Sequence, residues 1–335
     1  MGASCYLLWL DFTHMEIWNR TTDIYILSIL MKRFITQIIL YFLIPFGGLM
    51  GISEYCLRQV PNDYKYKNDW LCANAKKVEI YVLGSSHTYY GIEPSRFCLS
   101  VFNGAHVSQG LKYDLFLLQK FEQSMDSLRW VILPISYFTL TSKGLENGQE
   151  KWRVKNYTIY YDCPYHKFEP KFALESYKLS PKAFCSSITS NNSHLSCNEL
   201  GRGLNYAREN RDEEGWKGSG VTAAKRHTVG EIKEDIVRKN IDYVEEIISI
   251  CQKHNAHLLL VTTPTYQTYQ DNLNEEQLQI MIDVSDSIAT NHENVIYLNW
   301  LNHPEFTEDD FFDADHLNEY GASKLSILLD SVVFQ

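Results

Sequence analysis

The chain has 335 residues, 45% hydrophobic and 13% aromatic, which is enough for a sizeable buried core in one large domain or two small ones. Its 31 lysines and arginines face 41 acids for a net charge of −10, and no basic stripe interleaved with aromatics follows a phosphate backbone, so nucleic acid is excluded as an expected partner. The cysteines show no Cys-x-x-Cys and no zinc-type Cys/His spacing, so no metal is expected, and nothing in the sequence asks for a cofactor. Cys185 and Cys197 share one polar, loop-like stretch and are either a disulfide outside the cytoplasm or two free thiols.

Residues 34–52 carry no charge and follow Lys32-Arg33, which suits a helix crossing a hydrocarbon core of about 30 Å. Pro45 and Gly47-Gly48 are tolerated in such a span. A buried core helix and a cleavable signal peptide are the rivals, but no small-x-small cleavage site follows Leu49, so we expect an uncleaved anchor. Met31-Lys32-Arg33 reads as a natural start for it, leaving residues 1–30 as an uncertain N-terminal extension. The N-terminus is expected inside and the bulk of the chain extracytoplasmic. Residues 53–77, rich in Asn, Asp, Lys and Tyr, read as a polar stalk.

A catalytic domain is expected over 78–335. The β-branched and aromatic run 78–83 predicts a strand ended by Gly84, and 99–102 predicts a second ended by Asn103-Gly104. Leu111, Leu115, Leu118 and Phe121 recur at helical spacing, predicting a helix over 111–126, and 130–134 reads as a fully buried strand. An apolar face from Ile232 to Cys251 predicts a long helix over 229–254 that leads into a strand at 257–262. A helix over 274–290, a strand at 295–298 and a last helix over 318–332 complete the order. Strands alternating with helices imply a three-layer α/β/α, flavodoxin-like parallel sheet with ligands at the carboxyl ends of its strands. Between about 141 and 228 the periodicity fails, and this stretch is expected to be an insertion over the sheet edge, forming a substrate wall.

The chemistry sits in two blocks. Gly84-Ser85-Ser86-His87 delivers a serine into the turn after the first strand, and Asp313-Ala314-Asp315-His316 precedes the last helix. A serine hydroxyl is a weak nucleophile at neutral pH, so it needs an imidazole to take its proton and an acid to orient that imidazole. Ser86 would attack, His316 would act as base and then acid, and Asp313 would fix the tautomer. The competing readings are an ordinary strand-to-loop turn for the first block, and for the second a solvated acidic loop or an oxygen-rich metal site of Asp309, Asp310, Asp313, Asp315 and His316. His87 and His106 are expected to be loop residues. The sequons at Asn19, Asn156 and Asn191 support nothing.

Together the two blocks resemble the SGNH (GDSL-like) hydrolase superfamily, whose first block is Gly-Asp-Ser and whose last is Asp-x-x-His. The resemblance covers about 78–140 and 229–335 and implies Ser86 as nucleophile with Asp313 and His316 as partners, Ser85 standing where the family has aspartate. The family's second block is similar to Asn103 through Gly110, which implies an oxyanion hole from Ser86, Asn103 and the Ser108 N–H. Its third block, Gly-x-Asn-Asp, is replaced here by Pro134-Ile135-Ser136-Tyr137. Membrane-tethered relatives commonly add or remove acyl groups on envelope polysaccharides. The resemblance therefore implies a membrane-anchored serine esterase or O-acyltransferase acting on an acylated glycan or other ester. The alternative is a catalytically inactive SGNH fold that binds glycan or protein in an envelope assembly.

Overall fold

The computed structural model of the chain describes residues 23–164, 169–177 and 194–334. Cys185, Asn19 and Asn191 lie outside them, so the disulfide expectation falls outside the described residues, although Cys197 is a buried free thiol. The chain divides into two compact units, one of residues 1–60 with 175–191 and one of 61–174 with 192–335.

In the first unit a single helix, α1 (Asp23–Arg58), is long and apolar enough to cross a membrane. Its π-helical turn at Ile39–Leu43 directly precedes Pro45, which has no N–H to donate and so loosens the hydrogen-bond ladder there. The Glu54 carboxylate accepts the backbone N–H groups of Glu175 and Ser176, each at 2.9 Å.

The second unit is built on five parallel strands, β1 (Ile80–Val82), β2 (Val101–Asn103), β3 (Trp130–Pro134), β4 (His257–Thr262) and β5 (Val295–Asn299), in the order β2-β1-β3-β4-β5. This is the doubly wound order, and the strand direction of travel reverses between β1 and β3. Alternating side chains define two cores. Tyr81, Leu83, Phe102, Val131, Leu133, Leu258 and Leu260 pack on one face against α4 (Leu111–Phe121), α7 (Glu234–Lys253) and α8 (Glu275–Asn291). Ile80, Val82, Val101, Ile132, Leu259 and Val261 pack on the other against Leu325, Leu329 and Val333 of α9 (Glu319–Val333). Both faces are covered, which is why β1, β3 and β4 read as almost continuous apolar runs. Beyond β2, the 194–204 segment covers the sheet edge, with the Asn103 N–H donating to Leu200 O at 2.9 Å.

The polar segment 53–77 is not a free stalk. Its first residues continue α1, and 63–74 form α2 (Asp63–Asn74), capped by the Asn62 side chain on the Lys65 N–H. Tyr64, Leu71 and the following Ala75 join the core of the second unit. Lys67 lies fully buried on the same face, its Nζ donating to Ala105 O at 2.5 Å and resting 4.5 Å from the centre of the Tyr89 ring. A lysine in the middle of the stripe masks the helical period, which is why the composition looked like a linker.

Candidate active site

The turn after β1 is shaped by Gly84. Its φ of 110° lies in the left-handed region, and a side chain there would run into the Pro134 ring and Thr88 Oγ1. The turn is tied down from several sides. Gly84 N–H donates to Asp114 Oδ1 at 2.7 Å, and its carbonyl accepts the His106 N–H at 3.2 Å. Thr88 Oγ1 donates to Leu83 O at 2.7 Å. Ser85 is extended at φ −89°, ψ −160°, and Ser86 begins the short helix α3 (Ser86–Gly91), half-buried among buried neighbours.

The second block is held as a tight loop before α9. Phe311 and Leu317 pair as an antiparallel bridge, and Phe312 N–H donates to His316 O at 2.9 Å. Asn318 closes it, its Oδ1 capping the N–H groups of Tyr320 and Gly321 while its Nδ2 donates to Asp309 O and Phe311 O. Within this loop the Asp313 Oδ1 accepts the backbone N–H groups of Asp315 at 3.1 Å and His316 at 2.8 Å.

The two blocks meet at the carboxyl end of β1, where the strand order reverses. His316 Nε2 lies 2.8 Å from Ser86 Oγ, and His316 Nδ1 lies 2.9 and 3.1 Å from the two Asp313 oxygens. Burial disfavours a charged His316, but Asp313 and then Asp315 outweigh it and push its pKa up to about 10. The two carboxylates thus make the ring hold its proton more firmly than a free imidazole does.

The three oxyanion candidates differ. Asn103 is fully buried and its amide is spent on structure: Nδ2 donates to Thr88 O at 2.8 Å and Ile92 O at 3.2 Å, and Oδ1 accepts the Ala105 N–H at 3.1 Å. It fastens α3 to the loop after β2 and has no donor left for a ligand, which corrects its place among the donors. Ser108 sits at φ 60°, a conformation that suits glycine better than serine. The Ser86 and Ser108 N–H groups take part in no hydrogen bond among the described residues.

The acids read as a metal cluster separate. Asp310 is bound by Lys324 Nζ at 2.5 Å and caps its own turn through the Thr307 N–H, and Asp309 lies at the surface. What assembles instead is His87, Asp315 and His316, with ligand-type atoms within 4.8 Å of one another. His316 Nδ1 is engaged by Asp313, and the His87 ring turns Nε2 toward Asp315 while its other nitrogen, Nδ1, lies 2.7 Å from Ser136 Oγ.

His87 is thus a buried site residue rather than a loop residue. His106 is also buried, stacked on Tyr64 at 3.9 Å with its Nε2 2.8 Å from Tyr161 Oη. The aperiodic 141–228 stretch adds the helix α5 (Val154–Tyr160) and the helix α6 (Ser219–His227), and His227 and Arg226 of α6 face Asp315. Ser219 Oγ accepts the Ala314 N–H at 3.0 Å, joining this helix to the 311–317 loop. Tyr206 stacks on Tyr90 at 3.8 Å and on Phe312 at 4.1 Å, edge-on to His316. Nothing in the local sequence around Tyr206 or His227 marks them, because their partners come from other segments.

No known family profile matches the chain, and no curated protein matches it. Among solved structures it is similar to one described as "a putative platelet activating factor from Streptococcus pneumonia", at 11% identity and a TM-score of 0.40, over 87% of this chain and 97% of that one.

Proposed function

We propose that the chain is a membrane-anchored serine esterase or O-acyltransferase of the SGNH type, carrying the acyl group on Ser86 and acting on acetyl esters of a cell-envelope polysaccharide. One observation carries this reading: the unbroken chain of contacts from Asp313 through His316 to Ser86 Oγ. These contacts support Ser86 as nucleophile, His316 as its base and Asp313 as the group that orients the imidazole.

In the first half-reaction, neutral His316 Nε2 takes the proton of Ser86 Oγ as the oxygen bonds to the ester carbonyl carbon. The negative oxygen that results is stabilised by backbone N–H groups, with those of Ser86 and Ser108 as the candidates. The imidazolium, stabilised by Asp313, then protonates the departing alcohol oxygen as the carbon–oxygen bond breaks, leaving the acyl group on Ser86. In the second half-reaction His316 removes a proton from water or from a sugar hydroxyl, which attacks the acyl carbon and regenerates Ser86. The same intermediate serves hydrolysis and transfer, and exclusion of water from the site decides between them.

The apolar helix α1 supports membrane anchoring, and the proposal takes the α/β unit to be extracytoplasmic. The class of glycan comes from the resemblance to membrane-tethered SGNH relatives. Turnover of an activated acetyl ester by the full chain in detergent, compared with Ser86→Ala, tests the proposal, and equal rates would end it.

A second reading has its own support. The third SGNH block is replaced by residues 134–137 and the Asn103 amide is committed, so no side-chain oxyanion donor comes from either block. This favours a silent SGNH fold that binds glycan or protein partners. Glycan binding kept by Ser86→Ala and His316→Ala, with no ester turnover by the native chain, would support it.

A further inference from the structure

Behind the Ser86 and His316 pair lies a second carboxylate, more deeply buried than the first. Asp315 is 2% exposed, whereas Asp313 is half-buried. Asp315 Oδ1 lies 3.5 Å from His316 Nδ1, and its Oδ2 lies 3.6 Å from His87 Nε2. The other His87 nitrogen, Nδ1, is 2.7 Å from Ser136 Oγ.

The proton positions follow from chemistry. An ionised carboxylate only accepts, so the His87 nitrogen facing it is the one that carries hydrogen, and Nδ1 is left to accept from the Ser136 hydroxyl. Ser136 thus holds the His87 ring by a hydrogen bond, whereas His87 Nε2 and Asp315 Oδ2 face each other at 3.6 Å without one among the described residues, and Asp315 approaches His316 at the same nitrogen that Asp313 engages. Ser136 stands after β3, at the position where the SGNH pattern has its third block.

We infer that Asp315, buried between the His87 and His316 rings, is a positioning residue for His316 and acts on Ser86 only through that imidazole. The inference rests on the serine chemistry proposed above. Asp313 hydrogen-bonds the Nδ1–H, and the Asp315 charge 3.5 Å from the same nitrogen adds an attraction that rotation of the ring would weaken. The buried charge of Asp315 also favours the imidazolium that forms when Ser86 is deprotonated.

The groups facing Asp315 are few. On its own loop these are Asp313 and His316, and from α3 His87. From α6 come Arg226, with Nη2 at 3.7 Å, and His227, with Nδ1 at 3.9 Å. The Tyr269 and Tyr206 phenols also feel its charge. Burial keeps His87 and His227 neutral, and the Arg226 side chain is 54% exposed to solvent that weakens its pull. The charge of Asp315 is therefore exerted mainly on His316.

The test is the rate at which a fluorophosphonate labels Ser86 in the full chain in detergent, followed against pH. In the native protein labelling rises with pH as His316 loses its proton. Asp315→Asn should move that rise to lower pH by about one unit or more, because one of two nearby negative charges is gone. Labelling that still needs Ser86 and His316 but rises at an unchanged pH in Asp315→Asn overturns the inference and leaves the proposed function standing. Native protein labelled no faster than Ser86→Ala at any pH defeats the function itself. Should the variant not fold, nitrogen-15 NMR of histidine-labelled native protein decides the same point. His87 bearing its proton on Nε2 supports this arrangement, and a proton on Nδ1 overturns it.

Discussion

Ser86 and His316 stand 230 residues apart in the chain and 2.8 Å apart in the fold. The sheet brings them together: one opens the short helix that follows the first strand and the other precedes the last helix, and a parallel sheet delivers both to the carboxyl end of β1. The consequences of this placement are measurable.

The first concerns pH. His316 must be neutral to accept the Ser86 proton, and its two carboxylates push its pKa up to about 10. The kcat/KM for an activated ester should therefore climb across pH 7 to 9 without levelling off within that range. The charge linkage runs the other way for stability. A raised histidine pKa favours the fold most fully below the ordinary value of 6.5, and that contribution disappears as pH rises through about 10. A rate plateau already reached at pH 6.5 would show that the ring is not held cationic.

The second concerns the support beneath the nucleophile. Asp114 is fully buried, and its Oδ1 accepts both Gly84 N–H and Gln109 Nε2–H at 2.7 Å. Burial pushes its pKa up to about 7. Its folded-state value lies above the ordinary 3.8, so the stability it lends is complete below that pH and is lost as pH rises through about 7. Asp114→Asn keeps the accepting oxygen without the charge and should melt higher than the native protein at pH 8, by the equivalent of about 2 kcal/mol or more. Asp114→Ala strands two buried donors and should melt lower, at about 1–3 kcal/mol for each. Thermal melts at pH 5 and 8 separate the two effects.

Third, Gly84→Ala combines a left-handed φ with a clash against Pro134 and should cost about 3 kcal/mol or more. Its readout is loss of folded protein on expression, or a melting transition many degrees lower. A variant that melts with the native protein would mean that the turn relaxes freely.

Fourth, Asn103 and Ser108 should behave oppositely. Asn103→Ala removes three buried hydrogen bonds and should destabilise by about 2–4 kcal/mol, while the molecules that remain folded label with fluorophosphonate at close to the native rate. Ser108→Gly suits the local backbone, keeps the N–H and should leave both stability and labelling near native. A large loss of labelling in folded Asn103→Ala would restore that amide to the oxyanion hole.

Much of the scaffold is legible in the residues. The runs at 130–134 and 257–262 are apolar throughout because both faces of the sheet are covered, and each strand spans that range. The long helix over 229–254 starts later, at Glu234, because the chain is still extended at Lys233. The helix expected to 126 leaves α-geometry after Phe121 for a 3-10 turn. Strand β1 covers only the middle of the expected 78–83, while β2 starts two residues later than the expected 99–102 and runs one residue further, to Asn103, before Gly104 turns the chain.

The site is less legible, for a physical reason. Ser86, Asp313 and His316 sit in short blocks whose chemistry can be read locally. His87, Ser136 and Asp315 matter through each other, from three separate segments, and no spacing connects them. Arg226 and His227 come from the aperiodic region, where burial by neighbouring segments takes the place of a repeating pattern.

The central claim is that Ser86 carries the acyl group. The most direct measurement is intact-protein and peptide mass spectrometry of the full chain in detergent, quenched in acid shortly after mixing with an activated acetyl ester. The account predicts an added acetyl on the peptide containing Ser86, formed on a timescale that lengthens in His316→Ala and absent in Ser86→Ala. An acetyl group found on another residue, or none at all while the ester is consumed, would contradict it.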